Sequence, residues 1–184
     1  MAKGGIISAI HQGSLAEELE LVPGDKIISI NEQELTDIID LSFALADEEI
    51  EMLIEHENGE QEIIAFEKDI DEELGAEFES AVFGKIRQCA NNCYFCFVDQ
   101  VAPNMRDSLY IKDDVFRVSV LYGNFVTMTN MGPRDLERIH RLHLPPLYIS
   151  VHTTNPKLRG EMLRTKRGEL IMEQLAKLNE ADVE

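Results

Sequence analysis

The chain has 184 residues, of which 44% are hydrophobic and 28% are charged. This composition supports a buried core and excludes an intrinsically disordered protein, and we find no apolar run long enough to span a bilayer or to serve as a secretory signal. The net charge of −18 is concentrated in residues 1–80, which contain 3 Lys and Arg against 23 Asp and Glu. The negative charge of this half of the chain disfavours binding to nucleic acid and to anionic membranes, which are negatively charged as well. We therefore expect a cytoplasmic protein.

The break in charge near Ser80 predicts two domains, residues 1–79 and residues 80–184. In the first, Ser14 and Glu17 have the spacing of a capping box, which predicts a short helix to about Glu20. Thr36 is the expected N-cap of a second helix that ends near Ala46. Apolar runs and turn signals predict strands over residues 6–10, 26–31, 50–56 and 62–66, the last two joined by a turn at Asn58-Gly59.

The first domain contains the segments GIISAI from Gly5, GSLA from Gly13 and LVPGDKIISIN from Leu21. In these segments it resembles a bacterial PDZ domain. The strand order is permuted in this comparison, because residues 74–78, which resemble the strand after the carboxylate-binding loop, come last. The resemblance implies a groove between residues 74–78 and the helix from Thr36 that takes a peptide C-terminus by strand addition. The alternative is that the module only braces the domain that follows.

All three cysteines lie within eight residues, with the spacing C-x3-C-x2-C: Cys89, Cys93 and Cys96. Three thiolates this close can surround one metal centre, and thiolates suit iron–sulfur clusters and zinc. A [4Fe–4S] cluster with three cysteine ligands has one iron open to an external molecule. A zinc site of three cysteines and one histidine stays open as an alternative, with His140, His143 and His152 as the candidate fourth ligands.

The cysteine spacing resembles the signature of the radical-SAM superfamily, and Phe95 occupies the aromatic position before the last cysteine. The resemblance implies a [4Fe–4S] cluster and S-adenosyl-L-methionine bound at its open iron, with reductive cleavage to a 5′-deoxyadenosyl radical. It also implies an electron donor of the flavodoxin or ferredoxin type.

Beyond the cysteines we predict strands over residues 118–121, 125–129 and 147–152, and helices over residues 133–142 and 169–179. Alternating strands and helices predict an α/β domain with a parallel sheet, in which ligands lie at the carboxyl ends of strands. In a radical-SAM protein, the end of the second strand contacts the methionyl amine, which implicates Thr129 and Asn130. Ser150 and His152 end the next strand and are candidate cofactor contacts, with a structural histidine as the alternative for His152.

Longer strings, including CYFCFVDQ from Cys93 and SVH from Ser150, resemble the DUF512 family of iron–sulfur oxidoreductases with a PDZ-like front end. We therefore expect a permuted PDZ-like α+β domain followed by the first units of a radical-SAM (β/α) barrel. Since 88 residues follow Cys96, we expect the chain to end before the barrel is complete. The substrate is not indicated. The alternative function is a non-enzymatic peptide-binding module with a structural metal site.

Overall fold

The structure is a computed structural model that describes residues 4–84, 87–114, 116–144 and 147–180. The chain divides into two compact units, residues 1–85 and residues 86–184. The boundary that the charge pattern places after residue 79 stays a prediction.

An antiparallel sheet with two short helices makes up the first unit. Its described elements are β1 (Gly5–Ile10), α1 (Leu15–Glu18), β2 (Lys26–Ile30), β3 (Gln33–Glu34), α2 (Ile38–Ala44), β4 (Glu49–Glu55), β5 (Gln61–Glu67) and β6 (Ala76–Phe78). The strand order is β5-β4-β2-β1-β6, with β3 paired to β2, and the pairings are antiparallel. The last strand, β6, therefore lies beside the first, as the permuted order requires.

The core of this unit follows from alternation along the strands. In β4, Ile50, Met52 and Ile54 are buried, whereas the intervening Glu49 and Glu51 are exposed. These three side chains join one cluster with the apolar residues of β1, β2 and the helices. Period-two burial is what a sheet with one solvated face produces. The acidic residues of the sequence accordingly lie largely on the outside.

Both helix starts in the first unit depart slightly from prediction. At α1, Ser14 Oγ accepts from the Glu17 amide at 3.4 Å, but the Glu17 carboxylate accepts from the Gly13 amide at 2.6 Å instead of from Ser14. At α2, the N-cap is Asp37 and not Thr36, because the Asp37 carboxylate accepts from the Asp40 amide at 3.0 Å. A carboxylate accepts this bond as well as a hydroxyl does, which moves the helix start by one residue.

In the second unit, helices surround a short parallel sheet. The described elements are α3 (Phe116–Tyr122), β7 (Phe125–Val126), α4 (Pro133–Leu142), β8 (Tyr148–Ile149), α5 (Pro156–Leu163) and α6 (Ile171–Glu180), with 3-10 helices over Asp107–Tyr110 and Lys166–Leu170. Strands β7 and β8 are parallel, with Phe125 opposite Tyr148 and Val126 opposite Ile149. The predicted parallel pairing and the helix from Pro133 to Leu142 are confirmed.

One predicted strand is wrong: residues 118–121 lie within helix α3. The run is apolar and rich in β-branched residues, but four residues do not distinguish a strand from a buried helix turn. Phe116 and Ser119, three residues apart, are both buried, and Ser119 Oγ accepts from the Tyr148 amide of β8 at 3.0 Å. Packing against the sheet thus overrides the strand propensity of the valines.

The two predicted strands that do form are shorter than expected. Strand β7 ends at Val126 and β8 at Ile149, and backbone turns follow each, with Met128 at φ +63° and His152 at φ +63°. These residues adopt left-handed conformations that no strand permits. The residues after each strand therefore leave the sheet.

Candidate functional site

The three cysteines lie in a loop that begins beside residues 112–113. Gln88 forms a bridge with Asp113, and the Cys89 amide donates to the Lys112 carbonyl at 2.9 Å. All three thiols are free and partly buried. Burial raises the pKa of Cys89 and Cys93, and the neighbouring cysteines raise both values further. The thiols are thus near enough for their charges to interact, although within residues 4–84, 87–114, 116–144 and 147–180 no three metal-ligating side chains are preassembled around a common point.

The donor set nevertheless fits an iron–sulfur cluster. Thiolates are the ligands that such clusters take, and none of the three is consumed in a disulfide. Mutual repulsion among three thiolates is relieved when a cationic metal centre binds between them. Cys89, Cys93 and Cys96 therefore stay the predicted ligands of such a cluster.

The end of α5 fixes the cysteine loop. The Asn92 amide donates to the Leu163 carbonyl at 3.3 Å, and the Tyr94 amide donates to the Met162 carbonyl at 3.3 Å. The guanidinium of Arg164 lies 4.1 Å from the centre of the Tyr94 ring, which is cation–π geometry. Carbonyls at the end of a helix lack intrahelical partners. The amides of the cysteine loop supply hydrogen bonds to these carbonyls of α5, and the same bonds hold the loop in position.

A buried hydrogen-bond network joins the cysteine loop to the end of β7. The Asp114 carboxylate, 2% exposed, accepts from the Thr127 amide at 2.5 Å and from the Thr129 hydroxyl at 3.0 Å. Asn91, which lies between the first two cysteines, donates to Thr127 Oγ1 at 2.9 Å, and its Oδ1 is 2.8 Å from Thr129 Oγ1. The side chain of Thr129, a candidate cofactor contact, is thus bonded within the protein and supports the loop.

Asn130 lies on the same edge. Its Nδ2 donates to the Gln88 carbonyl at 3.4 Å, and its own carbonyl accepts from Arg87 at 2.8 Å. A cavity of about 670 Å³ opens beside Asn130 and the start of α4, lined also by Thr129 and Arg167. This volume is in the range of small-molecule sites.

Two further predicted residues, Phe95 and His152, are brought together although 57 positions separate them. Their ring centres are 5.0 Å apart. Burial lowers the pKa of His152, and the nearby charge of Arg159 lowers it further. Ser150 follows β8, and its amide donates to the Val126 carbonyl at 2.8 Å. The cysteine loop and the ends of β7 and β8 thus converge, although which of these side chains contact a cofactor stays a prediction.

Sequence reasoning missed Arg159, whose side chain is fully buried in α5. Its guanidinium donates to four carbonyls, those of Thr127, Ser150, Val151 and Gly168, at 2.8–3.0 Å. A signal was present, because Arg159 lies four residues before the fully buried Leu163 and so on the inner face of the helix. Asp114 also lies in a charged run, after Lys112 and Asp113, yet its side chain is buried.

The histidines of the zinc alternative are divided. His140 and His143 lie at the end of α4 with ring centres 6.0 Å apart, while His152 lies against Phe95. In the described parts of the chain, none of the three joins a group of metal ligands.

In the first unit, the chain itself occupies one end of the predicted peptide groove. After β6, residues 81–83 pair with the start of α2, where Ile38 donates to the Ala81 carbonyl and Phe83 donates to the Thr36 carbonyl, both at 2.9 Å. The Phe83 side chain is 4% exposed, and its ring centre lies 5.4 Å from that of Phe78 in β6. Residues 81–83 thus connect β6 to the start of α2, at one end of the predicted groove between β6 and α2.

Comparison with known families agrees with both units. The model of the radical SAM-like domain family matches residues 68–184, more than half of the chain, and the chain belongs to this family. The model of the PDZ domain matches residues 6–56. Membership of a radical-SAM family implies an iron–sulfur cluster and S-adenosylmethionine as cofactors. No curated protein matches the chain. Among the described residues, no helix is both long and apolar enough to cross a membrane.

Proposed function

We propose that this chain ligates a [4Fe–4S] cluster through Cys89, Cys93 and Cys96 and binds S-adenosylmethionine at the open iron. The observation that supports this most strongly is the position of the cysteine loop. Asn91 joins it to Thr127 and Thr129 at the carboxyl end of a parallel strand, where ligands of α/β folds lie. When bound, the two cofactors supply a 5′-deoxyadenosyl radical that abstracts hydrogen from a substrate.

The chain's own residues have distinct parts in this proposal. The cysteines must lose their protons on binding, which costs free energy because burial raises the pKa of Cys89 and Cys93. Phe95 and His152 form one wall of the site, and Asn130 borders the adjacent cavity. Ser150 lies at the end of β8 on the same edge. We propose that these residues line the cofactor and that Thr129 supports the cysteine loop through its hydrogen bond to Asn91.

The experiment is anaerobic reconstitution of the full chain with iron and sulfide. We expect about four irons and four sulfides per chain and an absorbance band lost in air. Substituting any one cysteine by alanine is expected to abolish the cluster, whereas Asn92→Ala, which keeps the loop backbone, is expected to retain it. Reduced protein with S-adenosylmethionine is then assayed for 5′-deoxyadenosine. Stoichiometric zinc with no iron–sulfur absorbance after reconstitution would contradict the proposal.

We further propose that the chain is a DUF512-type oxidoreductase that receives electrons from a flavodoxin or ferredoxin. The string CYFCFVDQ from Cys93 supports this narrower assignment. Titrating the reconstituted protein with reduced flavodoxin and following cluster reduction by electron paramagnetic resonance tests the electron donor. A cluster that only chemical reductants reduce would count against a flavodoxin.

A second candidate function for the first unit is binding of a peptide C-terminus, which the PDZ match over residues 6–56 favours. Strand β6 is at one end of the sheet order, as strand addition requires. The pairing of residues 81–83 with the start of α2 favours the bracing role instead. A library of peptides with free C-termini, compared with the same peptides as amides, separates the two. Binding that amidation abolishes supports the groove, and no binding supports the brace.

A further inference from the structure

Arg159 is a buried cation with an unusual set of partners. The side chain has no solvent exposure, and its four hydrogen bonds all go to main-chain carbonyls. Within the described residues, no carboxylate forms an ion pair with it. A buried charge is stable only where an opposite charge or several dipoles compensate the lost hydration. Carbonyl dipoles supply part of that compensation here, and a nearby anion is needed for the rest.

The anionic groups within its electrostatic reach belong to the cysteine site. Burial lowers the pKa of Arg159, while Asp114 and Cys93 both raise it. The Asp114 carboxylate accepts from the Thr127 and Thr129 hydroxyls at the end of β7, and these neutral donors do not cancel its charge. Asp114 is therefore one anionic neighbour of Arg159, and a cluster bound at Cys93 would be a second.

The four carbonyls have a common location. Thr127 follows β7, and Ser150 and Val151 follow β8, so three of them lie at the carboxyl ends of two neighbouring parallel strands. The fourth belongs to Gly168, where a Cβ would lie 3.3 Å from the Arg159 carbonyl oxygen. The guanidinium thus joins both strand ends to the turn behind α5. The same helix fixes the cysteine loop through the Met162 and Leu163 carbonyls.

We propose that Arg159 is a positioning residue that aligns the ends of β7 and β8 with the cysteine loop and makes the cluster easier to reduce. This inference rests on the proposed function. A cluster ligated by three thiolates is anionic, and one-electron reduction by an external donor adds a further negative charge. A fixed cation in a poorly solvated site stabilises the reduced form more than the oxidised form. The reduction potential is therefore higher with Arg159 than without it.

The test is a redox titration of the reconstituted full chain, followed by electron paramagnetic resonance, for the parent protein and three variants. Arg159→Gln removes the charge, and its midpoint potential is expected to shift to a more negative value. Arg159→Lys keeps the charge but loses the planar fork, so its shift is expected to be smaller. Arg141→Gln removes the same charge from an exposed site at the end of α4, where solvent screens it, and no shift is expected.

The outcomes separate this inference from the function on which it rests. If the parent protein takes up no cluster, the proposed function fails. If the parent forms a cluster and Arg159→Gln has the same midpoint potential, the role of Arg159 alone is overturned. Equal shifts in Arg159→Gln and Arg141→Gln would overturn it as well, since they would reflect net charge only. Loss of folding in both Arg159 variants would make the residue purely structural and would likewise overturn the proposal.

Discussion

At the scale of single residues, the site depends on buried polar groups that are bonded to one another. Asp114, Thr129 and Asn91 are each less than 10% exposed and share hydrogen bonds between 2.8 and 3.0 Å. A buried polar network of this kind is stable only while each member has its partners. Removing the Thr129 hydroxyl leaves Asn91 Oδ1 without its donor, while Asp114 keeps its hydrogen bonds from Thr127.

We expect Thr129→Val to lower the free energy of unfolding of the second unit by about 1–3 kcal/mol, the cost of a buried acceptor left without a donor. Valine has nearly the same shape, so the loss reports the hydroxyl. Thr154→Val, at an exposed position, is the matched control and should change stability little. Urea unfolding followed by circular dichroism measures both. Equal stability of the two variants would show that the network contributes nothing.

The other residue-scale prediction concerns His56 in the first unit. Its Nδ1 is 2.8 Å from the buried Asp25 carboxylate and its Nε2 is 3.4 Å from Glu62. The hydrogen bond to Asp25, followed by that to Glu62, raises the pKa of His56 above its ordinary value. This interaction stabilises the folded state fully at pH values below the unfolded-state pKa, and the contribution is lost as the pH rises through the folded-state pKa.

Proton NMR of the ring resonances tests this, with His56→Gln to assign the signal. We expect the His56 pKa to lie above that of the urea-unfolded chain, and Asp25→Asn to bring it down. The stability difference between the parent and His56→Gln should be larger at pH 5.5 than at pH 8.5. A folded-state pKa at or below the unfolded value would contradict the geometry.

At the scale of elements, helices and strands could be predicted from the sequence where their pattern of apolar, turn and capping residues is long and regular. The hairpin of β4 and β5 and helix α4 were predictable, because their alternation, the Asn58-Gly59 turn and Pro133 are local features. The helix at residues 116–122 and the early end of β7 were not, because partners distant in the sequence, such as Tyr148 and Asp114, determine them. The cysteines were predictable from spacing, but Arg159 required knowledge of the strand ends that it joins.

Gly75, in the loop before β6, lies against the start of the first helix. Gly75 has φ +71°, and a Cβ there would lie 2.3 Å from Ser14 Cβ. Gly59 has a similar φ of +84°, but a Cβ there would meet nothing within 4 Å. We expect Gly59→Ala to cost about 1 kcal/mol for the left-handed backbone alone. Gly75→Ala should cost clearly more, because Ser14 and the start of α1 must also move.

Hydrogen exchange of the β1 and β6 amides in the two glycine variants provides the measurement. Faster exchange in Gly75→Ala than in Gly59→Ala is the expected result. Equal exchange rates would mean that the loop before β6 relaxes freely. In that case the contact between Gly75 and Ser14 would not hold the start of β6 in place.

At the scale of the whole molecule, the two halves of the sequence differ strongly in net charge. Residues 1–80 have a net charge of −20, whereas residues 81–184 contain 14 Lys and Arg against 12 Asp and Glu, a net charge of +2. Mutual repulsion within the first group destabilises its folded state, and salt screens that repulsion. This difference in net charge could be predicted from the sequence. The hydrogen bonds between residues 81–83 and the start of α2 could not, because they depend on where β6 ends.

We therefore expect raising the salt concentration from about 0.05 M to about 0.5 M to slow hydrogen exchange in β4 and β5. Amides of α4 in the second unit are the internal control and should change little. Using the full chain avoids any assumption about isolated fragments. A salt effect of equal size on exchange in both units would show that charge repulsion does not specifically destabilise the folded state of the acidic half.

In the proposed function, three cysteine ligands leave one iron of the cluster open to S-adenosylmethionine. Mössbauer spectroscopy of protein reconstituted with ⁵⁷Fe distinguishes that iron from the other three. We predict that adding S-adenosylmethionine changes the isomer shift of one iron site, about a quarter of the signal, and leaves the other three nearly unchanged. A cluster whose four irons all keep their spectrum, or a protein that takes up zinc in place of iron, would contradict the account.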